Sequence, residues 1–205
     1  MHTIGVLTPV MQEKPTVWLA TDLGQSFGLV GALIDAGMQE AREKKMWALL
    51  VDQKMNPRDQ FSSVLRQSLE ADGFAVKPIN VERQDDKYLK AYPSAAENGV
   101  DAYLDIVVGQ YGYVAAGIAS STPYRPFVYL NCKLVQATTG AVLMQDSIYY
   151  NPVAPFGQGK NVSISPDPAY TFVNFNAIEN APQQGAAGLT AAFHATSDSI
   201  GRLLR

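Results

Sequence analysis

The chain has 205 residues, of which 47% are hydrophobic and 17% are charged. This composition excludes an intrinsically disordered chain, because disordered chains are poor in apolar residues and rich in charge. The net charge of -3 argues against general nucleic-acid binding, which needs a basic surface.

Hydrophobic periodicity and turn residues predict a mixed succession of strands and helices. In chain order these are a strand at 4–10, a strand at 16–20, a helix at 24–46, a helix starting at Asn56-Pro57 and stopped by Gly73, a strand at 74–79, a partly helical segment at 84–97, strands at 101–109, 127–137 and 141–150, and a helix from about 183. Pro78 lacks an N–H donor, which favours an edge position for its strand.

This order predicts an α/β fold, an α+β sandwich in which helices pack against one mixed sheet that ends in a strand meander. We expect a single domain over residues 1–205. It would carry a helical insertion at about 21–50 and a long loop at about 151–168, which is rich in proline.

Small residues recur every four positions along the helix predicted at 24–46. Gly28, Ala32 and Ala36 therefore share one side of that helix, and Phe27 belongs to a neighbouring apolar stripe. A row of small residues lets another backbone approach closely. We predict that Phe27, Gly28, Ala32 and Ala36 contact another protein or a second copy of this chain.

Seven of the ten tyrosines lie between residues 103 and 150. Tyrosine packs well across strands, which favours a structural role, and it is also enriched at protein interfaces. The segment 109–125 mixes tyrosines with small residues and predicts an extended connection. We predict that it contacts a partner through Tyr111, Tyr113, Tyr124 and Arg125. Binding of a small ligand by this aromatic patch is an alternative.

One motif points to an enzyme. Gly24-Gln-Ser26-Phe-Gly28 has the G-x-S-x-G pattern of a serine-hydrolase nucleophile elbow, and it lies between a predicted strand and a predicted helix. With His194 as the base, a serine hydrolase is an alternative function. A serine so early in the chain leaves no room for the preceding strands of that fold, so we expect a protein that is not an enzyme.

Few side chains are available for metal or disulfide chemistry. The sequence has two histidines, His2 and His194, and one cysteine, Cys132. One chain therefore cannot form a Cys/His zinc site of the usual kind, and we expect no metal and no cofactor. Cys132 alternates with apolar residues in its strand, which predicts a buried core thiol.

Several short segments resemble a known group of bacterial proteins. They are Ile4-Gly-Val-Leu-Thr-Pro, the strand entry Gly99-Val-Asp-Ala and the hairpin at 129–143 with Thr-Gly at its tip. Together they resemble the periplasmic domain of curli-secretion-channel lipoproteins and related outer-membrane lipoproteins. The segment at 28–37 is similar to one in many uncharacterised bacterial lipoproteins.

This resemblance implies an anticodon-binding-like α/β sandwich in a non-enzymatic accessory or assembly protein. It implies a periplasmic location and an outer-membrane lipid anchor, which is absent from this chain, with the signal peptide removed. The implied partners are other envelope proteins and further copies of the chain, and not nucleic acid. The alternative location is the cytoplasm, because the sequence itself shows no leader.

Overall fold

The computed structural model describes residues 2–20, 28–83, 87–116, 122–153 and 161–205, with residues 20 and 28–36 described by their backbone alone. Its strands are β1 (Thr3–Leu7), β2 (Val10–Met11), β3 (Thr16–Ala20), β4 (Ala75–Ile79), β5 (Ala102–Ala116), β6 (Tyr124–Gln136), β7 (Val142–Tyr150) and β8 (Asn161–Ile164). Its helices are α1 (Gly28–Asp52), α2 (Pro57–Ala71), α3 (Ala95–Asn98), α4 (Phe175–Asn180) and α5 (Pro182–Leu203).

The eight described strands form one mixed sheet with the long strand β5 at its centre. On one side of β5, the strands β1, β2 and β3 follow one another and run parallel to it. On its other side, β6 and β7 continue the sheet as an antiparallel meander. β4 lies parallel to β1 at one edge, and β8 lies parallel to β7 at the other. The predicted mixed sheet with a strand meander is confirmed.

Helices cover one face of this sheet and form the larger cores with it. Phe61 and Leu65 of α2 and Phe193 of α5 are buried against strand side chains in the main core. The rings of Phe61 and Phe193 meet edge to face, with their centroids 5.6 Å apart. A second core joins Met46 of α1 to Leu189 of α5. These contacts confirm that the helices pack against the sheet.

The opposite face of the sheet, called the second face below, carries smaller clusters. Tyr103 is buried there with Leu7, beneath the segment that connects β4 to β5. Phe127 and Tyr129 form another cluster on the same face, with their ring centroids 4.9 Å apart. Strands and connecting segments supply the described side chains of both clusters, without a contribution from the helices.

The helix predicted at 24–46 is present as α1, but its C-terminal end was placed too early. Among the described residues it runs from Gly28 to Asp52. It continues beyond the predicted end because Met46 and Leu50 are fully buried in the second core, so packing extends the helix past its charged run.

Two loop predictions are wrong. In the described part of the segment 109–125, predicted as a connection, β5 continues to Ala116 and β6 begins at Tyr124. A glycine makes this possible: Gly112 has φ +146°, and a Cβ there would overlap the carbonyl of Thr16 in the adjacent β3. The loop predicted at 151–168 contains β8, which pairs with β7.

The segment at 84–97, predicted to be partly helical, contains a short helix at its end. In the described part of this segment only α3 is helical, and it is four residues long. From residue 87 onward the rest of the segment follows an irregular path over the second face, and contacts from Leu89 and Tyr92 to Asp105 of β5 hold it in place. Helix α4 was not predicted, because its six residues are too few for a helical period to be recognised.

Candidate functional site

The tyrosines predicted to contact a partner belong to the core. Tyr111 and Tyr113 are fully buried, and Tyr124 is 5% exposed. Two of the hydroxyls are satisfied inside the chain, as Tyr111 donates to the Glu13 carbonyl at 2.9 Å and Tyr113 donates to the Gly185 carbonyl at 2.7 Å. Burial also raises the pKa of both phenols above the usual range. These positions are therefore corrected to structural residues, and they offer no aromatic patch for a ligand.

The structure describes only some of the other predicted site residues. Phe27 and Ser26 lie outside the described residues. Gly28, Ala32 and Ala36 lie in α1, described there by backbone alone, so their contact role stays a prediction. His194 is exposed on α5, and its pairing with Ser26 also stays a prediction.

Arg125 is exposed, as a contact residue requires. It lines a hollow of about 380 Å³ with Val114, Pro123 and Asn151. The partner predicted for Arg125 stays a prediction.

Cys132 is a buried core thiol, as predicted. Its Sγ lies 3.6 Å from the carbonyl oxygen of Asp146. Burial raises the pKa of the thiol to about 12, so the reactive thiolate is almost absent at neutral pH.

Within the described ranges, no group of three or more His, Cys, Asp or Glu side chains is close enough to hold a metal ion. The described helices also include none with the length and apolar character needed to cross a membrane.

The densest polar arrangement surrounds Asp105 on the second face. This carboxylate is fully buried and forms a salt bridge with Arg83, whose Nη2 lies 2.7 Å from Oδ1. The backbone N–H of Leu89 donates to Oδ2 at 2.9 Å, and the hydroxyl of Tyr92 donates to it at 3.1 Å. Asp105, Arg83, Leu89 and Tyr92 are called the Asp105 cluster below.

Every strong polar group of the Asp105 cluster is used by the chain itself. Arg83 also donates to the carbonyls of Thr8 at 3.1 Å and Lys87 at 3.0 Å. Nζ of Lys133, the neighbour of Asp105 on β6, lies 5.2 Å from the centroid of the Tyr92 ring. The cluster therefore fastens the β4–β5 connection to the sheet.

A different surface combines polar groups that the fold does not use. The α2–β4 groove, as we call it, is a cavity of about 370 Å³ between helix α2 and the sheet edge formed by β1 and β4. Val6, Val76 and Pro78 form its apolar floor, and Thr8 and Asn80 lie at one end. Its wall is the side of α2 that carries Arg58, Asp59, Ser62, Ser63 and Arg66.

The sequence of α2 explains why this wall is polar. Asn56 caps the helix, since its side chain accepts from the N–H groups of Arg58 and Asp59 at 3.0 and 3.1 Å. Phe61 and Leu65 then turn one side of the helix into the main core. A side of the helix that flanks this buried side presents Arg58, Ser62 and Arg66, one turn apart at each step, to the groove.

The wall side chains are largely uncommitted. Arg58 makes one hydrogen bond, from Nη2 to the Met11 carbonyl at 2.9 Å, which anchors the guanidinium and leaves its other donors available. Ser62, Ser63 and Arg66 form no hydrogen bond or ion pair within the described part of the chain. Two arginines against Asp59 give the groove a local positive charge, although the whole chain is acidic.

The groove also lies where the topology of an α/β sheet creates a crevice. Strands β1 and β4 are parallel, and their carboxyl ends at Leu7 and Ile79 both border the groove. Beyond these ends the chain diverges, since β1 leads to β2 along β5 while β4 leads across the second face. Ligands of open α/β sheets bind in crevices at such carboxyl ends.

Sequence reasoning missed the groove residues. The only signal was the spacing of Arg58, Ser62 and Arg66 by four residues, on a side of α2 that flanks its apolar residues. Such a pattern is typical of any solvent-exposed helix face. What distinguishes it here is the apolar floor beneath, which combines Val6 of the distant strand β1 with Val76 and Pro78 of β4, the strand that follows α2.

Comparisons with known proteins give structural likeness only. No protein-family model matches the sequence, and no curated protein matches it. The protein XCC0632 of Xanthomonas campestris, described by family model DUF330, superposes with a TM-score of 0.49 at 10% identity, covering 99% of this chain and 82% of that one.

Two further solved structures are more distant. The lipoprotein GNA1162 of Neisseria meningitidis has a TM-score of 0.33 at 16% identity, over 73% of this chain and 81% of that one. The PelC dodecamer of Paraburkholderia phytofirmans has a TM-score of 0.31 at 13% identity, over 70% and 67%. At these values no family is assigned, and the resemblance to curli-secretion channels stays a prediction.

Proposed function

We propose that the protein is a non-enzymatic accessory protein of the bacterial envelope that binds another protein through the α2–β4 groove. The observation that carries this proposal is the combination of uncommitted polar side chains, Ser62, Ser63 and Arg66, with an apolar floor in one cavity. Binding sites typically join an apolar surface to a few converging polar groups that fix orientation.

The cellular location in this proposal comes from the sequence resemblance. The native protein would be held at the outer membrane, on its periplasmic side, by a lipid anchor outside this chain. Fractionation of cells that make the native protein tests this location. Recovery in the cytoplasmic fraction would contradict it and leave only the binding role.

The binding role is tested by crosslinking in the cells that make the protein. A photo-crosslinking amino acid replaces Ser63, which is half-buried in the groove wall. A matched variant carries it in place of Gln145, which is exposed on β7 across from Lys133. We expect a discrete adduct with one partner from position 63 alone. Equal adducts from both positions, or none from position 63, would contradict the proposal.

Self-association is a separate part of the proposal and rests on the small-residue side of α1. Light scattering coupled to gel filtration gives the size of the particle in solution. Gly28→Leu and Ala32→Leu are expected to reduce an oligomer to smaller species. An unchanged size in both variants would mean that this side of α1 does not join copies of the chain.

A further inference from the structure

We infer that the α2–β4 groove takes an extended segment of the partner that carries two acidic side chains four residues apart. This inference rests on the proposed function and names the chemistry of the partner at the same site. It follows from the spacing of the groove wall, from its charge and from the character of its floor.

The spacing of the wall matches an extended chain. Arg58, Ser62 and Arg66 lie one helical turn apart, which is about 6 Å for each step of four residues and about 12 Å between the two arginines. In an extended segment, side chains on one side recur every two residues, about 6.6 Å apart. Residues i, i+2 and i+4 of such a segment therefore span about 13 Å and face Arg58, Ser62 and Arg66 in turn.

The charge of the wall selects carboxylates at the two outer positions. Guanidinium groups bind carboxylates through paired N–H donors, and both arginines keep such donors available. Ser62 between them suits a small polar side chain. Asp59 lies beside Arg58 and opposes an acidic group at that end. Arg66 therefore contributes more to binding than Arg58.

The floor selects the side chains between the acidic ones. These alternate to the other side of an extended chain and turn toward Val6, Val76 and Pro78. Pro78 has no N–H, so the edge strand β4 offers an incomplete row of backbone donors. Recognition in this groove therefore depends on side chains more than on addition of a strand to the sheet.

The test uses two fluorescent peptides of one composition and the whole chain. The spaced peptide is Thr-Glu-Val-Ser-Val-Glu-Thr, and the grouped peptide is Thr-Val-Glu-Glu-Ser-Val-Thr. Fluorescence anisotropy at low salt measures their affinities. We expect the spaced peptide to bind several-fold more tightly, with an affinity that falls as salt screens the charges. Equal affinities, or no binding of the spaced peptide, would overturn the inference.

Protein variants test which side chains are responsible. Arg66→Gln is expected to weaken binding of the spaced peptide about fivefold and Arg58→Gln by less, as for ion pairs at an exposed rim. Arg125→Gln, an exposed arginine outside the groove, is the matched control and should change nothing. The double variant Arg58→Glu with Arg66→Glu should prefer the spaced peptide with lysine in place of glutamate. Absence of this reversal would overturn the inference.

Two further results separate this inference from the proposed function. Displacement of the spaced peptide by inorganic phosphate at equal concentration would indicate a simple anion site and overturn the acidic-segment inference. An adduct from position 63 without binding of the spaced peptide would refute the inference and leave the proposed function standing. If position 63 gives no adduct and the spaced peptide does not bind, the proposed function and the inference are both refuted.

Discussion

The Asp105 cluster and the α2–β4 groove both contain arginine beside polar groups, but the chain uses them differently. The side chain of Arg83 is 10% exposed and donates hydrogen bonds to Asp105 and to two backbone carbonyls. Arg66 is exposed and forms no bond within the described residues. The first arginine is committed to contacts within the fold, while the second is the one to which we assign a carboxylate of the partner.

This difference separates stability from function. A buried charge must be paired and hydrogen-bonded, because an unpaired charge in the interior is costly. An exposed charge faces no such requirement, so Arg66 can be substituted with little effect on folding. Substitutions in the Asp105 cluster should therefore lower the free energy of unfolding. Substitutions in the α2–β4 groove should lower the affinity for the peptide and leave the free energy of unfolding unchanged.

The largest effect is expected from Asp105→Asn. The substitution leaves Arg83 buried without a counter-charge and can place an amide NH₂ against the N–H of Leu89. The free energy of unfolding should fall by about 3–5 kcal/mol. Equilibrium unfolding in urea, followed by circular dichroism, measures this change. A loss below about 1 kcal/mol would show that the cluster is not a major stabilising feature.

A smaller loss is expected from Tyr92→Phe. The hydroxyl of Tyr92 donates to the charged Asp105, and such bonds contribute about 1.5 kcal/mol or more. Tyr103→Phe is the matched control, because its hydroxyl bonds only neutral groups, Asn98 and the Ser94 carbonyl. Its loss should be about 1 kcal/mol or less. The reverse order in urea unfolding would contradict the role given to Asp105.

Arg66→Gln should leave the free energy of unfolding unchanged within about 0.5 kcal/mol, as is usual for exposed side chains. The same variant should lose affinity for the spaced peptide. Measuring both quantities on one preparation tests the comparison directly. A marked fall in stability would move Arg66 from the binding surface into the structural framework.

The smallest effect, a change in how stability depends on acid pH, is expected from substitution of Asp101. This residue is an exposed carboxylate just before β5. The backbone N–H groups of His2 and Thr3 donate to it at 2.6 and 3.0 Å, and these bonds lower its pKa. Its contribution to stability is therefore present above the pKa of the unfolded chain and is lost as the pH falls through the lower folded value.

Asp101→Asn should remove that part of the acid dependence while leaving the rest of the curve. Unfolding in urea across the acid range, for the variant and the parent chain, measures it. An identical acid dependence in both proteins would mean that the contacts to His2 and Thr3 contribute no measurable stability.

Local signals in the sequence were sufficient to predict the elements whose ends are marked by capping, turn or proline residues. Asn56 and Pro57 begin α2 by capping and by a preset backbone angle, and the Thr-Thr-Gly turn joins β6 to β7. Pro78 indicated an edge strand, and β4 is at the edge of the described sheet. Each of these depends on a few neighbouring residues.

Elements decided by distant contacts were predicted less well. The end of α1 depends on burial of Met46 against residues from other parts of the chain, and β8 exists because β7 offers it a free edge. The tyrosines looked suited to an interface because a single sequence does not show which side of a strand is covered. The structure places Tyr111 and Tyr113 against helix α5 and the connections around it.

The sequence by itself determined the mixed α/β class, the meander, the buried thiol of Cys132 and the lack of residues for a Cys/His metal site. These depend on composition, periodicity and turn chemistry, which are local. Only the tertiary structure decided that Asp105 is paired with Arg83 and that Arg58 and Arg66 border an apolar floor. The ion pair joins residues 22 positions apart, and the floor forms because β1 pairs with β4, so the packing of the sheet rather than any local pattern fixes both arrangements.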